Sequence, residues 1–95
     1  MRLALTPAAE QDLSDIFDYS ADSWGTDRAV AYLRMLQAAI ERLLRFPELG
    51  RSAEAVGPGL RILSAGSHIV VYRLKPETLV VIRILHQRMD VEGNL

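Results

Sequence analysis

Leu79-Val80-Val81-Ile82-Arg83-Ile84-Leu85-His86-Gln87-Arg88-Met89-Asp90 opens as an unbroken apolar run rich in β-branched residues and closes in charge. A run of that kind is the signature of a strand buried on both faces in the middle of a sheet. The polar end that follows sits on a rigid support, which is what a binding or catalytic constellation requires. The rest of the chain reads as packing around this strand.

Immediately upstream, Leu60-Arg61-Ile62-Leu63-Ser64-Ala65 and His68-Ile69-Val70-Val71-Tyr72-Arg73-Leu74 read as two further strands. Gly66-Ser67 supplies a tight turn between them, and Lys75-Pro76-Glu77-Thr78 a second turn into the buried strand. On regular strands, Arg83 shares a face with Val81 and Leu85, whereas His86 shares the other with Ile82 and Ile84. Arg83 and His86 therefore point apart unless the strand bulges between them. Glu48 to Gly59 is the one long irregular stretch; it holds neither GxxxxGK[ST] nor GxGxxG, so nothing there argues for phosphate binding, and it reads as a helix-to-sheet connection.

The N-terminal half is helical. After a short alternating segment, Arg2-Leu3-Ala4-Leu5, the pair Thr6-Pro7 reads as an N-cap and a first helical position. Ala9, Leu13, Ile16, Phe17 and Ser20 then form one face, with Asp12, Asp15, Asp18 and Asp22 outside it on a face expected to be solvated. Trp24-Gly25 ends this helix and Thr26-Asp27 is expected to cap the next. In that second helix Ala29, Leu33, Leu36, Ile40 and Leu43 make the packing stripe. A further stripe of Tyr32, Met35, Ala39 and Phe46 widens it, either as a broad core face or as a surface for a partner. Pro47 stops the helix. The order is β-α-α-β-β-β, an α+β fold in which a mainly antiparallel four-stranded sheet packs on an N-terminal helical hairpin.

Composition bounds the function. Ninety-five residues with 49% hydrophobic content suit a single domain spanning residues 1–95. There is no Cys, which removes disulfides and thiolate metal sites and makes a reducing cytoplasm the default. No apolar run approaches the roughly 18 residues a membrane span needs. The net charge of −1 implies no bulk attraction to nucleic acid, but the distribution is uneven: six acids and one base precede Arg28, and ten bases and six acids follow from it. All but one of the bases are Arg, the residue that grips carboxylate and phosphate bidentately.

The ordered set Ala8-Ala9-Glu10-Gln11-Asp12-Leu13, Ile16-Phe17-Asp18-Tyr19, Trp24-Gly25, Phe46-Pro47-Glu48-Leu49-Gly50, Gly59-Leu60-Arg61, His68 to Arg73 and Ile82 to Asp90 resembles the ParE-type toxins of bacterial toxin–antitoxin pairs, within the ParE/RelE group. The resemblance covers nearly the whole chain and ends in RILHxRMD. It implies a growth-inhibiting toxin that poisons DNA gyrase by binding. A ParD-like antitoxin with a ribbon-helix-helix DNA-binding domain would neutralise it, and operator DNA would be met only through that antitoxin. The residues assigned to the target are Arg83, His86, Arg88, Met89 and Asp90. Those assigned to the antitoxin are Tyr32, Met35, Ala39, Phe46 and Arg73. No metal, cofactor or membrane is implied.

A second reading within the same group is a ribosome-dependent mRNA endoribonuclease of the RelE type, with His86, Arg61 and Arg83 as its catalytic set. Attack by a 2′-OH needs a base, an acid and cations for the phosphorane. Arg cannot be the base near neutral pH, which leaves the two His and the carboxylates. RNA-cutting relatives carry extra Lys on the sheet and loop, and Lys75 at a turn is the only Lys here. That departure favours the non-enzymatic reading.

Overall fold

A computed structural model describes residues 1–95. Strand β1 (Arg2–Leu5) leads into helices α1 (Pro7–Trp24) and α2 (Thr26–Arg45). Strands β2 (Arg51–Ser52), β3 (Leu60–Ala65), β4 (His68–Lys75) and β5 (Thr78–His86) follow, then a 3-10 turn at Glu92–Asn94. The sheet order is β1-β5-β4-β3-β2, with β1 parallel to β5 and the other pairings antiparallel. The architecture is the expected α+β one with β5 interior, but the sheet has five strands rather than four. The added strand, Arg51–Ser52, lies in the stretch read as irregular; two residues pairing with Ile62 and Arg61 leave no periodic trace in sequence.

Helix starts follow from caps. Thr6 Oγ1 accepts from the Ala9 amide at 3.1 Å and donates to the Ile82 carbonyl at 2.6 Å, so one hydroxyl both caps α1 and ties it to β5. At the hairpin Gly25 adopts φ +90°, which Gly enters freely, and itself precedes α2; Thr26 is the first helical residue and makes no side-chain cap, contrary to its expected role.

The core has two layers. On the helix side Ala9, Ile16, Leu36, Ile40 and Leu43 pack on Val70, Tyr72, Leu79, Val81 and Ile84. On the far side Ile69, Val71 and Leu85 are buried with Ile62 beneath Ala53, Val56 and Val91. The connection before β3 and the tail after β5 thus roof the second face.

One irregularity sets the geometry of β5. Val71 pairs with Arg83 but Tyr72 pairs with Val81, so Ile82 is an extra residue on β5, a β-bulge. Beyond it the alternation changes sign. Ile84 joins Val81 in the helix-side core, and Arg83 keeps the face of Leu85 but loses that of Val81. The same slip brings His68 opposite His86; the uninterrupted register set by the Lys75–Thr78 pair would have faced it with Leu85.

Candidate functional site

Two features converge where β5 ends: a side-chain clasp at its open edge and a cleft between α1 and the strand ends. Because β1 stops at Leu5, β5 beyond Val81 has no strand neighbour on that side. Helix α1 supplies one in side chains. Thr6 takes the Ile82 carbonyl, and Asp12 Oδ2 accepts the Ile84 amide at 2.8 Å. Asp12 also receives Arg83 bidentately, Nε to Oδ2 at 2.8 Å and Nη2 to Oδ1 at 2.9 Å. The two side chains are 25% and 12% exposed, so the pair is shielded enough to exceed a surface ion pair. The hydrogen bond to Asp12 raises the Arg83 pKa, against a lowering by burial, so the guanidinium is always charged. Asp12 is therefore not part of the solvated acidic face assigned to it. Its spacing from Ala9 and Ile16, three and four positions, places it on the packing side, a signal the sequence carried.

The third guanidinium nitrogen of Arg83, Nη1, donates to the Asn94 carbonyl at 2.6 Å, and Asn94 Nδ2 donates to the Asp90 carbonyl at 2.6 Å. The tip Arg88-Met89-Asp90 lies between this contact and the strand end. There the Met89 amide donates to the His86 carbonyl at 2.9 Å and the Arg88 amide to His86 Nδ1 at 3.2 Å. All three tip residues are exposed.

The cleft, about 450 Å³, is lined by Asp15, Tyr19, Trp24, Tyr32, His68 and His86 among others. The two imidazoles meet edge to face with centroids 5.4 Å apart, and Tyr32 meets His68 at 5.5 Å. Tyr32 Oη accepts the Ser67 amide at 3.0 Å and lies 2.5 Å from His68 Nδ1. That network assigns the hydroxyl proton to Nδ1 as acceptor and leaves the His68 proton on Nε2; His86, accepting from Arg88 at Nδ1, has the same tautomer when neutral. Burial lowers the His68 pKa, the neighbouring His86 lowers it further, and Asp12 opposes both. His68 is neutral at neutral pH. No group of three His, Asp or Glu stands at metal-binding spacing. Neither the paired His nor the cleft's aromatic wall, Tyr19 edge-on to Trp24 at 6.1 Å, was singled out from sequence, because the bulge that aligns the His is invisible there.

The residues of the endoribonuclease set stand apart. Arg61 pairs with Tyr72, four positions along β4 from His68 and hence roughly 13 Å along the strand from the His pair. Its Nε and Nη2 bind the Gly50 carbonyl at 3.0 and 2.6 Å, and Nη2 the Glu48 carbonyl at 3.1 Å. Arg83 is held at the opposite edge by Asp12.

The residues assigned to the antitoxin fall on several surfaces. Tyr32, Met35 and Ala39 are half-buried against the helix-side core and border two shallow grooves along α2. Phe46 is exposed at the end of α2, with the Arg45 guanidinium 6.0 Å over its ring. Arg73 is on the far face, where its Nε donates to the Pro58 carbonyl at 3.1 Å.

Comparison with known proteins places this geometry in context. The family model for the ParE toxin of the type II toxin-antitoxin system parDE matches residues 3–91. The chain is 50% identical over 95 residues to Toxin ParE1 of Mycobacterium tuberculosis, covering 99% of this chain and 97% of that one. It is 40% identical over 91 residues to Toxin ParE1 of Caulobacter vibrioides (96% and 94%) and 32% identical over 92 residues to Toxin ParE of Escherichia coli (96% and 89%). A solved structure described as the chromosomal ParDE TA system from P. aeruginosa has the same fold. It matches with a TM-score of 0.80 over 90% of this chain and 95% of that chain, at 23% identity.

Proposed function

The chain belongs to the ParE toxin family of type II toxin–antitoxin systems, and from that premise we propose that it poisons DNA gyrase by binding rather than by catalysis. Contact is made through the exposed tip Arg88-Met89-Asp90 with His86 behind it. The observation that carries this reading is the disposition of the arginines. Arg61 and Arg83, which an RNA-cleaving site would need for the phosphorane, are engaged within the fold, Arg61 through Nε and Nη2 on the Gly50 and Glu48 carbonyls and Arg83 through all three nitrogens on Asp12 and Asn94. At the tip, Arg88 has no such internal partner and is exposed beside Met89, which is 42% exposed. A cation, an apolar side chain and a carboxylate presented together on a fixed turn suit recognition of a partner surface.

A ParD-like antitoxin is the proposed neutralising partner. Its amphipathic segment would lie along α2, where Met35 joins the groove beside Trp24, Arg28 and Tyr32 to the groove beside Ala39, Arg42 and Leu63. Arg28 and Arg42 flank that path and would receive acidic side chains on the segment's rim. Contact of this chain with operator DNA would run through the antitoxin's ribbon-helix-helix domain, since a net charge of −1 offers no electrostatic attraction of its own.

The deciding experiment exposes purified toxin, released from its antitoxin, to gyrase with supercoiled plasmid and, separately, to translating ribosomes. Gyrase-dependent linear DNA with intact mRNA is the expected result. Cut mRNA with normal supercoiling would overturn the proposal and return attention to His86, Arg61 and Arg83.

A further inference from the structure

Arg83 leaves an otherwise apolar strand, and its three donating nitrogens are all spent on the fold. Two grip Asp12 and the third holds the Asn94 carbonyl. Asn94 in turn bonds Val91 through its amide at 3.1 Å and the Asp90 carbonyl through its side chain at 2.6 Å. The tip is thus tied at both ends, by His86 on the strand side and by Asn94 on the tail side. The Asn94 tie is joined to the sheet through Arg83, which is itself fixed by a carboxylate on α1. Gly93 completes the turn at close quarters: a Cβ there would come within 2.9 Å of Asp90 Oδ2.

We propose that Asp12, Arg83 and Asn94 act as a positioning relay that holds Arg88-Met89-Asp90 in the conformation its target recognises. The inference rests on the reading that this tip makes the target contact. A three-residue turn that is loose in the free protein must be ordered on binding, and that ordering weakens affinity without altering what the bound complex does. The relay removes the cost in advance. Its parts are separable, because Asn94 reaches Arg83 through the main chain and Asp90 through the side chain. Asn94→Ala cuts the last link and leaves the Arg83–Asp12 pair whole. Asp12→Asn keeps an oxygen for the Ile84 amide but discharges the partner of the guanidinium.

The test titrates wild type, N94A, D12N and the surface control Q11A against gyrase supercoiling, with amide exchange followed in the same proteins. N94A should raise the half-maximal concentration about tenfold, the effect of unfixing a short turn. It should leave inhibition at saturation unchanged and speed exchange at the Met89 and Asn94 amides. D12N should move the half-maximal concentration further and lower the thermal midpoint as well, and Q11A should match wild type. An N94A half-maximal concentration within twofold of wild type, reduced inhibition at saturation alone, or unchanged exchange would overturn the relay. If wild type fails to inhibit gyrase, the gyrase reading falls by itself. The relay is then scored by growth arrest over graded induction, where wild type should exceed N94A and N94A exceed D12N, and equal potency overturns it.

Discussion

Replacing Tyr72 with Phe should destabilise the domain far more than the loss of one exposed hydroxyl would. Tyr72 is fully buried in the helix-side core, and its Oη is the hub of the segment between α2 and β2. It donates to the Pro47 carbonyl at 2.7 Å and accepts from the Gly50 amide at 3.0 Å. Phe fills nearly the same volume, so the cavity term is negligible and the loss is polar. Each hydrogen bond contributes about 1 kcal/mol net, and the Gly50 amide left unpaired in a buried position adds to it, for a total of about 2–3 kcal/mol. In a domain of this size each kcal/mol lowers Tm by roughly 4–8 °C, so the expected fall is about 10–20 °C. Equilibrium unfolding in urea followed by circular dichroism measures it, with the midpoint falling and the slope unchanged. A loss below about 0.5 kcal/mol with an unchanged slope would refute the reasoning, since it would mean that the Pro47–Gly50 segment is held by Arg61 alone.

Three further outcomes follow from the geometry. Gly66→Ala should destabilise by about 1–2 kcal/mol, because φ is +58° and the new Cβ would lie 2.6 Å from Met35 Cε and 2.9 Å from Tyr32 Oη; thermal melts measure this, and an unchanged Tm would count against the turn geometry. Thr6→Val removes both the α1 cap and the bond to Ile82 and should cost about 1–2 kcal/mol, whereas Thr6→Ser should retain stability; equal losses in the two variants would show that the hydroxyl is not responsible. His68, faced by His86 from β5, Tyr32 from α2 and the Asp12 and Asp15 carboxylates from α1, has a folded pKa below its unfolded value. The unfolded chain therefore takes up the proton first, so this group lowers stability as pH falls below 6.5 toward the folded pKa and has no effect above that window. An NMR titration of His68 with a midpoint above 6.5 would contradict the burial argument.

Legibility from sequence divided along the range of the interactions. The buried strand, the Thr6-Pro7 start, the Gly25 break and both two-residue turns were readable because each is set by neighbours within a few positions. What governs the site is long-range. Thr6 and Ile82 are 76 positions apart and Asp12 and Arg83 are 71 apart, and neither contact alters the local pattern at either end. Arg83 could be recognised as needing an acid, since an unpaired Arg in an apolar strand is costly, but Asp90 and the carboxylates of α1 were equally eligible. The bulge at Ile82 was unreadable for a different reason. Ile82 is as apolar as its neighbours, so an inserted residue leaves the composition of the run unchanged while moving His86 into line with His68. Asn94 carries no local signal, because its contacts with Arg83 and Asp90 depend on where the tail returns along β5.

The parallel pairing of β1 with β5 has a consequence for synthesis. Arg2 to Leu5 cannot be matched until Thr78 to Val81 have been translated and have left the ribosome, because no earlier segment offers them a strand edge. The next two residues, Ile82 and Arg83, carry the carbonyl for the Thr6 hydroxyl and the guanidinium for Asp12. A nascent chain paused anywhere in the helical hairpin therefore holds an acidic, partly apolar α1 whose Asp12 has no guanidinium to receive, and it lacks the tip. The tip and the strand that carries it are completed in one late step, and a chain cut short before β5 has neither.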